Sequence, residues 1–303
     1  MLRRVRRLVN LYKLLWAEEQ IAALEDQAIR LQDRMEKQRN TLQRQVFSLQ
    51  QQIVDRNANL TEQLDALKSS LEVPQESIDE FFEWKARNPI PEEPLVSVTV
   101  ATYNQARLLT ERCIPSILNQ TYENLELIVV GDGCTDGTEK AVSKIGDRRL
   151  KFYNLPERSV YPADPGRRWM VAGTPPTNEA LSMSRGYFIA HLDHDDEYLP
   201  DRLEKLLNFA TENDCDFVWH PFWWEDEEGR WQLWEAPDFS YRQVTNASVL
   251  YRSWFKRFES DINAHRLLEP GDWNRFRKIK YLDPVSMRYP EPLSRHYRER
   301  SRG

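Results

Sequence analysis

From about residue 17 to residue 72 the chain contains neither Gly nor Pro, and its apolar residues fall in a narrow helical stripe. Ile21, Leu24, Ala28, Leu31 and Met35 step by three and four. The pattern resumes with Leu42, Val46, Leu49 and Ile53, and again with Leu60, Leu64, Leu67 and Leu71. The stretches join through successive four-residue steps, which are stutters in a heptad repeat. Gln, Arg, Glu and Asp fill the other faces. A stripe this narrow does not bury itself, so it calls for a partner helix. The spacing predicts a coiled coil over 17–73, reaching roughly 80 Å at ~1.5 Å per residue, and self-association through it. A single helix packed on the rest of the chain is the alternative. Gln38, Gln45 and Asn57 interrupt the seam and leave the oligomer number open.

Residues 1–16 differ in character. Arg3, Arg4, Arg6, Arg7 and Lys13 interleave with Leu2, Val5, Leu8, Leu11, Leu14 and Trp16. A signal peptide would separate its basic and apolar parts and end in small residues, and Ala17-Glu18-Glu19 is a poor cleavage site. As a helix this segment has a cationic rim, suited to peripheral contact with an anionic membrane surface. The alternative is a solvated basic face on the first turns of the coil. No stretch reaches the ~18 apolar residues of a membrane span. The formal charge of −6 gives no reason to expect nucleic acid as a partner. Cys113, Cys134 and Cys215 are odd in number and lack a CxxC pairing, so they read as reduced thiols. A cytoplasmic protein is expected, with the inner membrane face as a possible station.

Pro74 stops the helix, and 74–94, ending in Asn88-Pro89-Ile90-Pro91-Glu92-Glu93-Pro94, reads as a linker. A globular domain is expected over 95–303. There, a β-branched run at Val96–Thr102, an apolar one at Leu125–Val130 and further strand patterns at Leu150–Tyr153 and Tyr187–Leu192 alternate with helical patterns at 107–119, 136–145, 175–185 and 200–213. This alternation predicts an α/β fold with a mainly parallel sheet and helices on both faces. Ligands bind such sheets beyond the carboxyl ends of the strands. After Asp216 the pattern turns to aromatic strands with a hairpin at Glu227-Glu228-Gly229.

Polar residues gather at the strand ends. Ala101-Thr102-Tyr103-Asn104 closes the first strand. Gly131-Asp132-Gly133-Cys134-Thr135-Asp136-Gly137-Thr138 closes the second, and Asp193-His194-Asp195-Asp196 the fourth. Three carboxylates within four residues repel one another, so a cation or extensive hydrogen bonding should compensate. Oxygen ligands suit Mg²⁺ or Mn²⁺. A solvated turn, or Asp196 as a helix cap, is the simpler alternative. The glycines of the second turn permit close approach of a ligand. Asp132 can accept hydrogen bonds from a base or ribose, and Asp136 is placed to cap the next helix. Neither a phosphate-binding P-loop nor the G-x-G-x-x-G of dinucleotide folds is present.

These stretches, together with Ser116-Ile117-Leu118-Asn119-Gln120-Thr121-Tyr122 and Leu192–Leu203, give four ordered matches by which the chain resembles glycosyltransferase family 2, with its inverting mechanism and GT-A fold. The resemblance implies that Thr102, Tyr103, Asn104 and Asp132 hold the nucleotide. It implies that Asp193 and Asp195, with Asp196 beside them, hold a divalent cation and the diphosphate of a nucleotide-diphosphate sugar donor. Asp272, in Glu269-Pro270-Gly271-Asp272-Trp273, becomes the expected catalytic base, with Glu269 in reserve, and His296 an added metal ligand. The implied acceptor is a glycan or glycolipid in surface polysaccharide or glycoconjugate synthesis. The chain departs from the family at Gly131, where an acidic residue is usual, at Cys134 for Ser and at Ala101 for Pro. Arg158, Arg167 and Arg168 lie in the insert 157–174, within reach of a diphosphate or on a solvated loop. Trp219, Phe222, Trp223, Trp224, Trp231 and Trp234 are candidates for an acceptor platform or for core packing. Other classes stay open: a GT-A-fold nucleotidyltransferase, which would want a Gly-rich basic loop absent here, a non-catalytic coiled-coil scaffold, and a metal-dependent glycan-binding module.

Overall fold

The computed structural model describes residues 2–71 and 74–298, with the side chains of 1–16, 19 and 66–71 outside the described set. It divides into two compact units, 1–62 and 63–303. The first is built on α1 (Leu2–Leu71), one continuous helix. The absence of Gly and Pro allows it, and pairs such as Asp26–Arg30 and Asp33–Lys37, both at 2.7 Å, support it in the favourable acid-before-base order. The apolar stripe is on the surface: Leu24 is 64% exposed, Met35 69% and Ile53 59%. The expected lipid-facing side chains of 1–16, and Leu67 and Leu71 of the seam, lie outside the described residues. Among the described residues no helix is long and apolar enough to cross a membrane.

The stretch read as a linker is largely folded. Residues Gln75–Arg87 form α2. Its Phe81 is fully buried, with ring centroids 5.2 Å from Trp254 and 4.8 Å from Phe255. Its Lys85 reaches Asp216 at 2.9 Å. The prolines of 89–94 dominate a reading by composition, but Ile78, Phe81, Phe82 and Trp84 fall on one helical side, and burying that side outweighs the polar remainder. Only 88–94 remains as connection.

Eleven strands follow among the described residues: β1 (Val96–Thr102), β2 (Leu125–Gly131), β3 (Leu150–Asn154), β4 (Phe188–His191), β5 (Glu197–Tyr198), β6 (Phe217–Trp219), β7 (Phe222–Glu225), β8 (Trp231–Trp234), β9 (Val249–Arg252), β10 (Ser286–Arg288) and β11 (Ser294–His296). The main sheet has the order β10-β6-β9-β4-β1-β2-β3. Strands β3, β2, β1 and β4 run parallel, and β9 is antiparallel to both neighbours. A second sheet has the order β5-β11-β7-β8.

Between β1 and β2 lie α3 (Ala106–Leu108) and α4 (Ile114–Leu118), joined by a π-helical turn at Leu109–Cys113. Pro115 accounts for that turn: it has no N–H and its ring crowds the carbonyl four residues back, so the helix widens ahead of it. The later helices are α5 (Thr138–Ser143), α6 (Pro165–Val171), α7 (Thr174–Met183), α8 (Arg202–Glu212) and α9 (Gly271–Lys280). One face of the sheet, with Val96, Val98 and Val100, packs on Ile114, Ile117, Leu203 and Leu206 of α4 and α8. The other packs Ile189, Phe217 and Tyr251 on Phe81, Phe276 and Ile279 of α2 and α9, and Ile128 and Val130 on Ala180 of α7. Full burial of such side chains contributes about 1.5–3 kcal/mol each. Strand order reverses direction between β1 and β4, and a sheet of this kind opens its ligand crevice at that reversal.

Candidate active site

The carboxyl ends of β1 and β2 are tied to each other before any ligand is considered. Asn104 takes a positive φ of 50°, a backbone region that Asn tolerates. Its Oδ1 accepts from the Thr135 amide at 2.8 Å. The Asp132 amide donates to the Thr102 carbonyl at 2.8 Å. Asn104 is therefore a pin between two turns, while the Thr102 hydroxyl is buried with no hydrogen-bond partner. Leaving such a group unpaired is costly. Gly131 has a physical reason. A Cβ there would lie 2.4 Å from Asn154 Oδ1, and that oxygen accepts from the Cys134 amide at 2.8 Å. The side chain of Asn154 fills the room an acidic residue would need.

The insert after β3 supplies contacts that the sequence did not reveal. Asp132 is 3% exposed. It accepts from the Ser159 amide at 3.0 Å, the Ser159 hydroxyl at 2.5 Å and the Tyr161 hydroxyl at 2.8 Å. The Arg158 guanidinium lies over the Tyr103 ring, 3.2 Å from its centroid, and 3.9 Å from Asp132. Of the three arginines of the insert, Arg158 is thus at Tyr103 and Asp132, and Arg168 donates to the loop carbonyls of Pro162 and Ala163. Asp136 accepts from the Thr138 amide and hydroxyl. Burial raises its pKa, but these bonds and one from the Ala106 amide outweigh that and hold it below the usual range.

The acidic turn after β4 is graded in exposure: Asp193 is exposed, Asp195 half-buried and Asp196 buried. Asp196 accepts from the Tyr297 amide at 2.8 Å. Arg112 donates to the Asp195 carbonyl at 2.6 Å and lies over the Tyr297 ring. Burial, and then the charges of Asp193 and Asp195, push the Asp196 carboxyl well above the usual range. His296 Nδ1 lies 3.7 Å from Asp196. Burial pushes its imidazole down to about 3, so it is neutral and the contact is not an ion pair. Neutral imidazole is also the form that binds metals. Among the described residues there is no group of three or more His, Cys, Asp or Glu side chains that could hold a metal ion by itself. A Mg²⁺-type ion needs none, since it usually takes one or two carboxylates plus phosphate and water oxygens.

Asp272 occupies the first turn of α9 behind Pro270. Burial raises its pKa. The Trp273 amide, donating at 2.7 Å, the charge of Arg275 and the Asn246 amide pull it partly back. Glu269 is engaged at both oxygens by Arg277, at 3.0 Å each, and by Asn274. The fully buried Arg275 donates to Asn246 Oδ1 at 3.0 Å and faces His191 Nε2 at 3.1 Å, while its Nε and Nη1 have no hydrogen-bond partner. Arg275 only donates, so Nε2 of His191 accepts, and Nδ1 carries the proton shared with Thr99 at 2.5 Å.

Residues 97–163 and 176–264, just over half of the chain, match the sequence pattern of Glycosyl transferase family 2. The chain belongs to that family. Among curated relatives, a glycosyltransferase of Bacillus subtilis named for teichuronic acid biosynthesis, TuaG, is 35% identical over 127 residues, covering 41% of this chain and 45% of the relative. Chondroitin synthase of Pasteurella multocida is 34% identical over 209 residues, covering 62% of this chain and 20% of the synthase. This family 2 chain thus spans less than half the length of either relative. The crystal structure of S. aureus TarS 1–349 in complex with UDP-GlcNAc superposes with a TM-score of 0.53 at 21% identity, over 68% of this chain and 59% of that one. At that identity the likeness shows a shared fold.

Proposed function

We propose that this family 2 chain transfers a glycosyl group from a nucleoside diphosphate sugar to an acceptor hydroxyl of a glycan or glycolipid, with inversion at the anomeric carbon. The observation that carries this reading is the division of labour at the sheet edge. Arg158, stacked on Tyr103 beside buried Asp132, offers a cation and an aromatic ring to a nucleotide. The acidic turn offers oxygen ligands. Asp272 is a carboxylate whose pKa is raised by burial, as a general base requires.

In the reaction the acceptor O–H gives its proton to Asp272 while its oxygen forms a bond to the anomeric carbon. The bond from that carbon to the phosphate oxygen breaks, and its electron pair leaves with the nucleoside diphosphate. Asp193 and Asp195, with neutral His296 beside Asp196, are the groups that would hold a divalent cation. Such an ion, when bound, offsets the charge of the leaving diphosphate. Arg275 holds positive charge behind Asp272, three residues along the same helix, and favours its ionised form. The relatives named for teichuronic acid, chondroitin and hyaluronan support a role in polysaccharide synthesis.

Self-association through α1 belongs to the same proposal. Its stripe gains from burial only against another helix, and a second copy supplies the same stripe. Peripheral membrane contact through 1–16 from the cytoplasmic side is proposed on their cationic composition alone.

The test is release of nucleoside diphosphate from a panel of UDP-, GDP- and dTDP-sugars with Mn²⁺ or Mg²⁺. Release from one donor, abolished by chelator, supports the reading. Binding of sugar nucleotides without release under any condition would favour a degenerate scaffold.

A further inference from the structure

Asp132 is the residue that the resemblance assigns to the nucleotide, yet its carboxylate is committed to the chain itself. Its side chain is 4% exposed, whereas that of Arg158 beside it is 40% exposed. A carboxylate offers about four acceptor sites. The insert after β3 fills three of them: Oδ1 accepts from the Ser159 amide and hydroxyl, and Oδ2 from the Tyr161 hydroxyl. At the remaining one, Arg158 Nη1 stands 3.9 Å from Oδ2. This leaves no place for the N–H or O–H of a base or ribose.

The same bonds fix the insert. Gly133 takes a φ of 66°, and a Cβ there would lie 2.4 Å from the Arg158 amide nitrogen. The insert therefore packs backbone to backbone on the turn that carries Asp132. The Tyr161 hydroxyl, which donates to Asp132, also accepts from the Gly173 amide at 3.3 Å. The two ends of the insert are thus gathered at one carboxylate. Held in this way, the Arg158 guanidinium lies against two rings, 3.2 Å from the centroid of Tyr103 and 5.5 Å from that of Tyr161. A guanidinium stacked on a ring keeps its N–H groups at the rim, where a phosphate can be bound by a forked pair of hydrogen bonds. Ordering the side chain before a ligand arrives removes that cost from binding.

We infer that Asp132 is a positioning residue and not a nucleotide ligand: it anchors residues 158–161 so that Arg158, stacked on Tyr103, meets the diphosphate of the donor. This rests on the transferase reading. It makes Ser159 and Tyr161, which bond to Asp132, determinants of donor affinity that do not touch the donor.

Calorimetry of the full chain with UDP, GDP and dTDP in Mn²⁺ finds the nucleotide that wild type binds, and that nucleotide is the probe. Tyr161→Phe keeps the ring and removes one donor to Asp132, and Ser159→Ala removes another. Each should weaken binding at least threefold while melting near wild type, and Ser159→Thr, which keeps the hydroxyl, should bind nearly as wild type. Asp132→Asn should weaken binding at least tenfold in the wild-type chain but less than twofold in an Arg158→Ala background, because it acts through Arg158. The inference is overturned if Ser159→Ala and Tyr161→Phe both bind as wild type does, or if Asp132→Asn loses tenfold with and without Arg158, as a direct ligand would. Either result leaves the transferase reading standing. A wild-type chain that binds none of the three nucleotides removes that reading and this inference together.

Discussion

The guanidinium of Arg158 rests 3.2 Å from the centre of the Tyr103 ring and 3.9 Å from Asp132, which joins the insert after β3 to the ends of β1 and β2. A cation–π contact of this kind contributes about 0.5–2 kcal/mol. Arg158→Ala removes a cation that the diphosphate of UDP would meet, and loss of one charge-assisted hydrogen bond should weaken UDP binding by roughly 10- to 100-fold. Tyr103→Phe keeps the ring and should bind nearly as wild type, whereas Tyr103→Ala should lose as much as Arg158→Ala. Calorimetry on the three variants decides this, and full affinity in Arg158→Ala would exclude the insert from the nucleotide site.

Asp195→Asn should weaken nucleoside diphosphate binding in Mn²⁺ and make the residual binding insensitive to chelator. Titrations with and without EDTA measure it. Equal affinities in all four cases would reduce the acidic turn to a local structural feature.

For Asp272 the two roles separate cleanly. A general base contributes ~10²–10⁴-fold to turnover, whereas a lost helix cap costs about 1 kcal/mol. Its pKa is raised by burial, so the charged form destabilises the fold slightly at neutral pH. The stability linked to this group is complete below the unfolded pKa and is lost as pH rises through the folded one. Asp272→Asn should thus melt at or slightly above wild type near pH 7 while transferring almost no sugar. The acid limb of the wild-type rate profile should fall above the ordinary aspartate range. Near-normal turnover in the variant would move the base elsewhere.

Glu126 makes an opposite prediction. Burial alone would raise its pKa, but Lys151, Ser97 and Arg185 donate to it and bring it down to about 2. A depressed acid stabilises the fold above the unfolded pKa near 4.5 and loses that contribution as pH falls toward 2. Glu126→Gln should cost on the order of 2 kcal/mol at pH 7 after solvent screening is allowed for, and much less at pH 3. Denaturant midpoints at the two pH values test it; an equal loss at both would show that ionisation of Glu126 is irrelevant.

A chain starting at Pro74 should fold and have a lower oligomeric order than the full length. One starting at Pro91 should be markedly less stable, because it lacks Phe81. Phe81→Ala in the full chain should cost about 3–5 kcal/mol. Light scattering and thermal melts distinguish these cases, and an unchanged mass after removal of α1 would dismiss the helix as an assembly element.

Much of the domain was readable because its strands are short apolar runs ending in polar turns, as at Val96–Thr102 and Leu125–Gly131. Local sequence carries that signal. The helix within 74–94 was less legible, because six residues rich in proline masked thirteen with helical periodicity. The contacts of Arg158 and Ser159 were not legible, since nothing near either residue reveals what faces it across the sheet. Gly131 reads as a departure from the family until Asn154 is seen to occupy the space. Arg275 shows no sign in sequence of being a buried cation, because its burial depends on β4 and Asn246 rather than on its own neighbours.

The bond from the Tyr297 amide to Asp196 closes a span of 101 residues. Drawing the ends of so long a segment together costs conformational entropy that only the folded second half of the domain repays. The acidic turn is consequently hostage to distant packing: any fluctuation that frees β11 also frees Asp196. Hydrogen exchange at the Tyr297 amide then reports the opening of the acidic turn directly, and its protection should deepen when a nucleoside diphosphate and Mn²⁺ are added together.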